Sequence, residues 1–186
     1  MRIALPVVLL LVAMIAAPAL HAQDDTTKLE LYGGYEYVRF NINANVAGQP
    51  PSQTFNASGG GGELMYNITP WLGVLGDVCG LWATNATAQG AAIPYLFGPR
   101  ASFRHAKITP FVQVLFGGVA TSSGIEQPGW QTHFAMTAGG GIDVRLSKHF
   151  SLRPVQAEYF LTKIPDGLSS RQNNFRLGAG IVFRFG

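Results

Sequence analysis

The final stretch of the chain, Asn173–Gly186, constrains the fold most, because its residues alternate strictly in character. Arg176 and Arg184 occupy one set of alternate positions together with glycines. The other set is apolar and ends in aromatic residues: Phe175, Leu177, Ala179, Ile181, Phe183 and Phe185. A period of two residues predicts a β-strand and not a helix. Since arginine and glycine make a poor core face, we expect Phe175, Leu177, Ile181, Phe183 and Phe185 to face lipid and the arginines to face a polar interior.

Seven earlier segments show the same alternation, with the predicted ranges 28–40, 55–67, 71–84, 93–106, 111–122, 132–147 and 151–163. Long polar connections and short turns such as Asn67–Pro70 and Lys107–Pro110 follow one another in alternation. This order predicts an all-β fold, an eight-stranded antiparallel up-and-down transmembrane β-barrel whose last strand pairs with its first. A water-soluble barrel such as a lipocalin would need the opposite polarity, with its apolar face inside.

The composition agrees with a barrel that lies in a membrane. Charged residues make up 12% of the chain, whereas a water-soluble domain carries about a quarter. The net charge of +3 comes without a cluster of Lys and Arg, so we expect no nucleic acid partner. The single cysteine, Cys79, excludes an intramolecular disulfide framework.

The N-terminal segment has the form of a secretory signal peptide. Arg2 is followed by an apolar run to Ala17 that is too short to span a membrane comfortably, and small residues come after it. We expect residues 1–22 to be a signal peptide, cleaved after Ala22 or alternatively after Ala19. Residues 23–186 would then form the barrel domain.

The alternation also assigns a set of charged side chains to the barrel lumen: Glu30, Glu36, Glu63, Asp77, Arg100, Arg104, Asp143, Arg145, Glu158, Arg176 and Arg184. An eight-stranded barrel is just wide enough for side chains to fill. We therefore expect these groups to pair as a hydrogen-bonded plug. The alternative is a path for ions or small solutes that opens when one pair breaks.

Two of the prolines within predicted strands, Pro99 and Pro154, are expected to disturb the local strand geometry. Pro99 lies in mid-strand, where a regular ladder would lose a hydrogen bond, and we expect a local bulge there. Strict alternation points Arg153 outward, so either this arginine extends to the membrane interface or Pro154 marks a change of register.

No arrangement of residues predicts catalysis, a metal site or a cofactor. His105, His133 and His149 lack the spacing of metal ligands. A hydrolytic site would need a serine and an orienting acid beside His133, which alternation turns inward. No helix follows the glycine runs at 59–62 and 139–141, so they are not phosphate-binding loops.

Several of these segments together resemble the bacterial outer membrane β-barrel domain family, and in particular its OmpA/OmpX-type eight-stranded barrels. The resemblance rests on Phe175–Gly186, Tyr95–Arg100, Gly139–Asp143 and Gln172–Asn174. It implies a monomer in the lipid of the cell outer membrane, inserted by the barrel-assembly machinery, which is thought to read the aromatic end of the last strand. Since the chain stops at the closing strand, no peptidoglycan-binding domain is expected.

The resemblance also implies a role without catalysis. We expect a structural or adhesive function in which extracellular loops at 41–54, 85–92, 123–131 and 164–172 contact a ligand or a surface. A narrow OmpA-like pore for small solutes or ions is the alternative function. An outer-membrane lipid-modifying enzyme is a more distant one.

Overall fold

A computed structural model describes residues 27–42, 53–83, 90–123, 130–164 and 171–185. Its eight strands are β1 (Leu29–Ile42), β2 (Gln53–Asn67), β3 (Leu72–Ala83), β4 (Gly90–Ser102), β5 (Ile108–Ser123), β6 (Trp130–Arg145), β7 (Phe150–Thr162) and β8 (Gln172–Phe185). The predicted signal peptide and most of the predicted loops lie outside the described residues. None of the described residues belongs to a helix long and apolar enough to cross a membrane.

The eight strands form one closed antiparallel barrel in which each strand pairs with its neighbours along the chain. β1 and β8 complete the ring, with Leu29 opposite Phe185 at one end of the ladder and Arg39 opposite Phe175 at the other. The predicted all-β barrel, including the pairing of the first and last strands, is therefore confirmed. We call the end that carries the β2–β3, β4–β5 and β6–β7 turns the turn end, and the opposite end the loop end.

The turn between β4 and β5 differs from its prediction. β4 ends at Ser102, and the chain reverses between His105 and Ile108, which form an isolated bridge. Pro110, which we placed in the turn, lies within β5. Ala106 has a φ of 27° in this reversal, a backbone conformation that side chains with a Cβ rarely adopt.

The bulge predicted at Pro99 is wrong, because β4 keeps its register on both sides of this residue. Pro99 lies opposite Val74 of β3. On the β5 side, the pairs Phe97–Phe116 and Arg100–Gln113 have the same offset. Pro99 is exposed and costs the ladder a donor, but it does not add a residue to the strand.

A bulge is found instead in β7, directly after Arg153. Arg153 lies opposite Gly180 of β8 and Gln156 lies opposite Gly178, so three steps along β7 match two along β8. The ladder with β6 shifts at the same place. The extra residue turns both Arg153 and Gln156 into the barrel, which confirms the register change that was one of the two alternatives at Pro154.

The interior is divided into layers, which the sequence analysis did not anticipate. Towards the loop end, inward side chains form an apolar layer that includes Val38, Phe40, Leu81, Val119 and Phe160. The expectation of a polar interior therefore fails for this layer, although Thr162, Gln172 and Asn174 are buried polar residues at the same end of the barrel. The charged side chains fill the middle and the turn end.

Candidate functional site

The first of two charge clusters in the middle of the barrel is built around Glu63 of β2. Its carboxylate accepts hydrogen bonds from Arg100 of β4 and from Nη1 of Arg153, the latter at 2.6 Å. Arg153 also donates from Nε to Oδ1 of Asp143 at 2.7 Å, and Gln156 donates to Glu63 at 3.1 Å. We call these five residues the Glu63 cluster. It ties four strands together through side chains that are almost fully buried.

The second cluster surrounds Arg176 of β8. Its guanidinium donates to both carboxylate oxygens of Asp77, one of them at 3.0 Å, and to Oε2 of Glu36 at 3.1 Å. Oε2 of Glu158 lies 3.6 Å from Nη1 of the same arginine. We call these four residues the Arg176 cluster. A planar, always charged guanidinium suits this arrangement because it can serve several carboxylates at once.

Gln113 of β5 joins the two clusters. Its Oε1 accepts from Nε of Arg100 at 2.6 Å, while its Nε2 donates to Oε1 of Glu158 at 2.6 Å. The middle of the barrel is consequently one continuous network of polar contacts. Such a network holds a unique structure because the loss of any member leaves its partners buried and unsatisfied.

Aromatic rings complete the Glu63 cluster. The guanidinium carbon of Arg100 lies 4.2 Å from the centre of the Phe111 ring, and that of Arg153 lies 4.5 Å from the same centre. Arg153 also lies 4.3 Å from the centre of the Tyr32 ring. These distances allow cation–π attraction, which is strongest when the cation is desolvated.

The charges are segregated along the barrel axis. The two clusters contain five carboxylates (Glu36, Glu63, Asp77, Asp143 and Glu158) and three arginines (Arg100, Arg153 and Arg176). The predicted lumen residues nearer the turn end are Glu30, Arg104, Arg145 and Arg184. Acidic groups are thus in excess in the middle, and basic groups are in excess at the turn end.

At the turn end the pairing is incomplete. Arg104 donates from Nη2 to Oε1 of Glu30 at 2.8 Å and from Nε to the carbonyl oxygen of Pro70 at 2.9 Å. Arg184 is buried, yet its three guanidinium nitrogens have no hydrogen-bond partner among the described residues. Arg145 is only partly buried and makes no ion pair within the described part of the chain.

The structure therefore brings seven of the eleven predicted lumen residues into the two clusters, and two more, Arg104 and Glu30, into a separate pair. Arg145 and Arg184 stay outside these contacts. Sequence reasoning missed Arg153 as a member, because strict alternation pointed it outward. The signal that could have found it was Pro154, which breaks the alternation immediately afterwards.

The outer face carries the apolar side chains. Phe175, Ile181, Phe183 and Phe185 of β8 are exposed, and Leu177 is partly buried. Exposed aromatic side chains also occur on the other strands, among them Tyr66, Trp71, Trp82, Tyr95, Phe97, Trp130, Phe150 and Tyr159. A face of this kind is far more apolar than the surface of a water-soluble monomer.

The histidines do not converge. His105 and His149 are exposed at the turn end, whereas His133 lies near the loop end of β6. Among the described residues no group of three or more His, Cys, Asp or Glu side chains could hold a metal ion. Cys79 is buried in the apolar layer as a free thiol.

A closed eight-stranded barrel with an apolar outer face and buried charges inside defines a class of protein, the transmembrane β-barrels. The family profile described as outer membrane protein beta-barrel domain matches residues 7–183. The chain belongs to this family, whose members are located in the cell outer membrane. No curated protein sequence matches the chain.

Solved structures share this fold at low sequence identity. Neisserial surface protein A is 12% identical with a TM-score of 0.65, and the match covers 83% of this chain and 97% of that one. OprG from Pseudomonas aeruginosa is 13% identical with a TM-score of 0.53, covering 84% and 95%. The N-terminal barrel domain of OprF from the same organism is 11% identical with a TM-score of 0.52, covering 86% and 98%.

Proposed function

We propose that this protein is a closed, non-catalytic anchor in the outer membrane that presents four connecting segments at its loop end for structural or adhesive contacts. The observation that carries the proposal is the filled interior. The two charge clusters occupy the middle of the barrel, and the apolar layer lies on their loop-end side. A barrel body of this kind supports a function at its ends and on its outer face.

The outer face supports the membrane part of the proposal. Phe175, Ile181, Phe183 and Phe185 would contact lipid, and so would Leu177. In such barrels the short turns face the periplasm and the longer connections face outward. In this orientation the loop end is the extracellular end, and the four connecting segments would lie at the cell surface.

The composition of these segments supports a partner that is not strongly charged. Residues 43–52, 84–89, 124–129 and 165–170 contain only two charged side chains, Glu126 and Asp166. Asn, Gln, Ser, Thr, Gly and Pro make up most of the remainder. Contacts would therefore come from neutral hydrogen-bonding groups rather than from electrostatic attraction.

The test displays three forms on a laboratory Gram-negative host: the full chain, an empty control, and a variant in which each of the four segments is replaced by Asn-Gly. Cells are allowed to adhere to beads coated with a neutral glycan, dextran, or with a polyanion, heparin. We expect the full chain to raise adhesion to dextran beads and the shortened variant to lose the gain.

Detergent resistance of the same cells tests the structural part. If the shortened variant keeps the detergent resistance that the full chain confers, the barrel body carries that role alone. If the full chain changes neither adhesion to either bead nor detergent resistance, the proposal is contradicted.

The runner-up function, a narrow pore, has less support. A path through the barrel would have to pass both the charge clusters and the apolar layer, in which Val38, Val119 and Phe160 have no exposed surface. Apolar constrictions block ions by excluding water. A conductance that changes when Arg100 or Glu158 is neutralised would favour the pore.

A further inference from the structure

Arg184 is the only arginine of the barrel that the structure buries without any partner in the described part of the chain. Arg184 is 2% exposed, and its Nε, Nη1 and Nη2 all lack a hydrogen-bond partner among the described residues. A guanidinium cannot lose its charge in a protein, so it cannot relieve its burial by releasing a proton. A buried charge of this kind needs a counter-charge.

The carboxylate on the residue paired with Arg184 is already engaged. Glu30 lies opposite Arg184 in the β1–β8 ladder, but its Oε1 accepts from Arg104 at 2.8 Å and from Asn67 at 3.1 Å. The other charged groups that act on Arg184 are Arg104, Arg145 and Asp143. Both oxygens of Asp143 accept from Arg153. Of these two carboxylates only Glu30 is not held by Arg153, and it already accepts from Arg104, so neither supplies a full counter-charge to Arg184 and Arg145.

Further unpartnered donors lie at the same end of the barrel. Nη1 of Arg104 is buried and has no partner in the described part of the chain. The buried hydroxyl of Ser151 lacks a hydrogen-bond partner as well, and Ser151 lies opposite Arg145 of β6 and Val182 of β8. The guanidinium groups can only donate hydrogen bonds, and the Ser151 hydroxyl can donate as well. A ligand that satisfies them is therefore a negatively charged acceptor.

We propose that the turn end of the barrel interior binds a phosphate group between Arg184, Arg104 and Arg145. Phosphate oxygens match the fork of N–H donors on a guanidinium, and two arginines can hold one tetrahedral anion from two sides. Arg145 is partly exposed and the side chain of Arg104 is 12% exposed, so these residues mark the entrance. In the proposed orientation this entrance opens at the periplasmic side of the membrane.

The phosphate group has two possible sources, a free anion or the headgroup of a phospholipid in the adjoining leaflet. The test uses the full mature chain refolded in an uncharged maltoside detergent without phosphate. In one arm inorganic phosphate is titrated against sodium chloride at equal ionic strength. In the other arm the micelles contain phosphatidylglycerol and no free phosphate. Calorimetric binding and the urea midpoint of unfolding are measured in both arms.

The variants are Arg184→Gln, Arg145→Gln and, as a matched control, Lys107→Gln, which removes an exposed cation at the same end. We expect the parent protein to bind phosphate saturably. Arg184→Gln should weaken the affinity by about tenfold to a hundredfold, because it removes two charge-assisted hydrogen bonds. Arg145→Gln should weaken it as well, and we expect this variant to fold, because Arg145 is partly exposed and makes no ion pair within the described part of the chain. Lys107→Gln should bind like the parent protein.

Binding in the phosphate arm assigns the free anion, and binding in the lipid arm alone assigns the headgroup. Equal binding by Arg184→Gln and the parent protein would identify an adventitious ion only and would overturn the proposal. So would an effect of chloride as large as that of phosphate, or binding in neither arm.

The acidic residues Asp24 and Asp25 precede β1 in the sequence and are the competing source of negative charge. The double variant Asp24→Asn, Asp25→Asn distinguishes this case. Phosphate binding that appears only in the double variant would mean that the chain satisfies its own arginines, and would overturn the proposal.

Discussion

At Arg153 a single guanidinium holds two carboxylates, Glu63 and Asp143, both of which are almost fully buried. Removing one member of a buried pair costs far more than an exposed salt bridge contributes, because it leaves an uncompensated charge. The stability of the barrel should therefore depend on a few buried arginines and little on exposed ones.

Arg153→Met tests this dependence. We expect it to lower the free energy of unfolding by about 3–5 kcal/mol, since Asp143 would lose its arginine and Glu63 would keep Arg100 as its one cationic partner. Urea unfolding of the refolded barrel, followed by tryptophan fluorescence, gives the value. Arg39→Met, which removes an exposed arginine of β1, is the control and should change it by less than about 1 kcal/mol. Equal effects of the two changes would contradict the assignment.

Gly98 shows how closely neighbouring strands approach. A Cβ built on this residue would lie 2.2 Å from the carbonyl oxygen of Val114, a backbone atom that cannot turn away. Gly76, by contrast, is exposed and a Cβ there would meet nothing within 4 Å.

We expect Gly98→Ala to lower the free energy of unfolding by about 1–3 kcal/mol, because the new methyl group would overlap the carbonyl oxygen of Val114. Gly76→Ala should be neutral or stabilise the barrel by about 0.5–1 kcal/mol, since alanine loses less conformational freedom on folding. The measurement is the urea midpoint of unfolding of each variant, compared with that of the parent protein. A loss at Gly76 as large as that at Gly98 would show that the close approach is not the cause.

At the scale of the strand, β7 depends on its bulge. The extra residue after Arg153 changes the alternation, so that Arg153 and Gln156 both point inward although they are three positions apart. Without the bulge, the part of β7 before it would point Arg153 to the outer face.

Deleting Pro154 should leave this arrangement largely intact. Arg153 and Gln156 would then be two positions apart, which is the regular spacing of inward residues, and the register with β8 would need no bulge. We expect the free energy of unfolding to fall by less than about 2 kcal/mol, and the unheated barrel should still migrate faster on a gel than the boiled one.

Deleting Tyr159 from the same strand is the matched control. It would put Phe160 and Thr162 out of phase with Gln156 and Glu158, so one pair would have to face outward. We expect this variant to lose the folded barrel. If both deletions were equally tolerated, the bulge would not be what sets the direction of Arg153.

The strands, their order and the lumen positions could be predicted because alternation is a local property of the sequence. The bulge could not be located in the same way. Pro99 and Pro154 look alike in sequence, yet one only removes a donor from an exposed position and the other accompanies an inserted residue. The difference lies in the registers of the neighbouring strands, which the local sequence does not contain.

The apolar layer was also readable in principle. Val38, Leu81, Val119 and Phe160 occupy inward positions by simple alternation. The prediction of a polar interior rests on the charged inward residues alone and leaves these apolar ones out. Which arginine meets which carboxylate could not be predicted, since Arg153 and Glu63 are brought together only when the ring closes.

At the scale of the whole molecule, the layered interior predicts a barrel that does not conduct. We expect the refolded protein to give no channel openings in a planar bilayer in which a large open porin gives clear steps. Regular openings of the parent protein would contradict the filled interior and favour the pore.

A closed barrel that lies in the outer membrane with its apolar face in lipid should be recognisable in cell extracts. The most direct measurement is gel migration of protein extracted from outer membrane fractions, compared before and after boiling. We expect to find the protein in these fractions, and we expect the unheated form to migrate differently from the boiled one, because a closed barrel resists detergent. Recovery from the soluble periplasm without a shift would contradict the lipid-facing assignment of Phe175, Leu177, Ile181, Phe183 and Phe185.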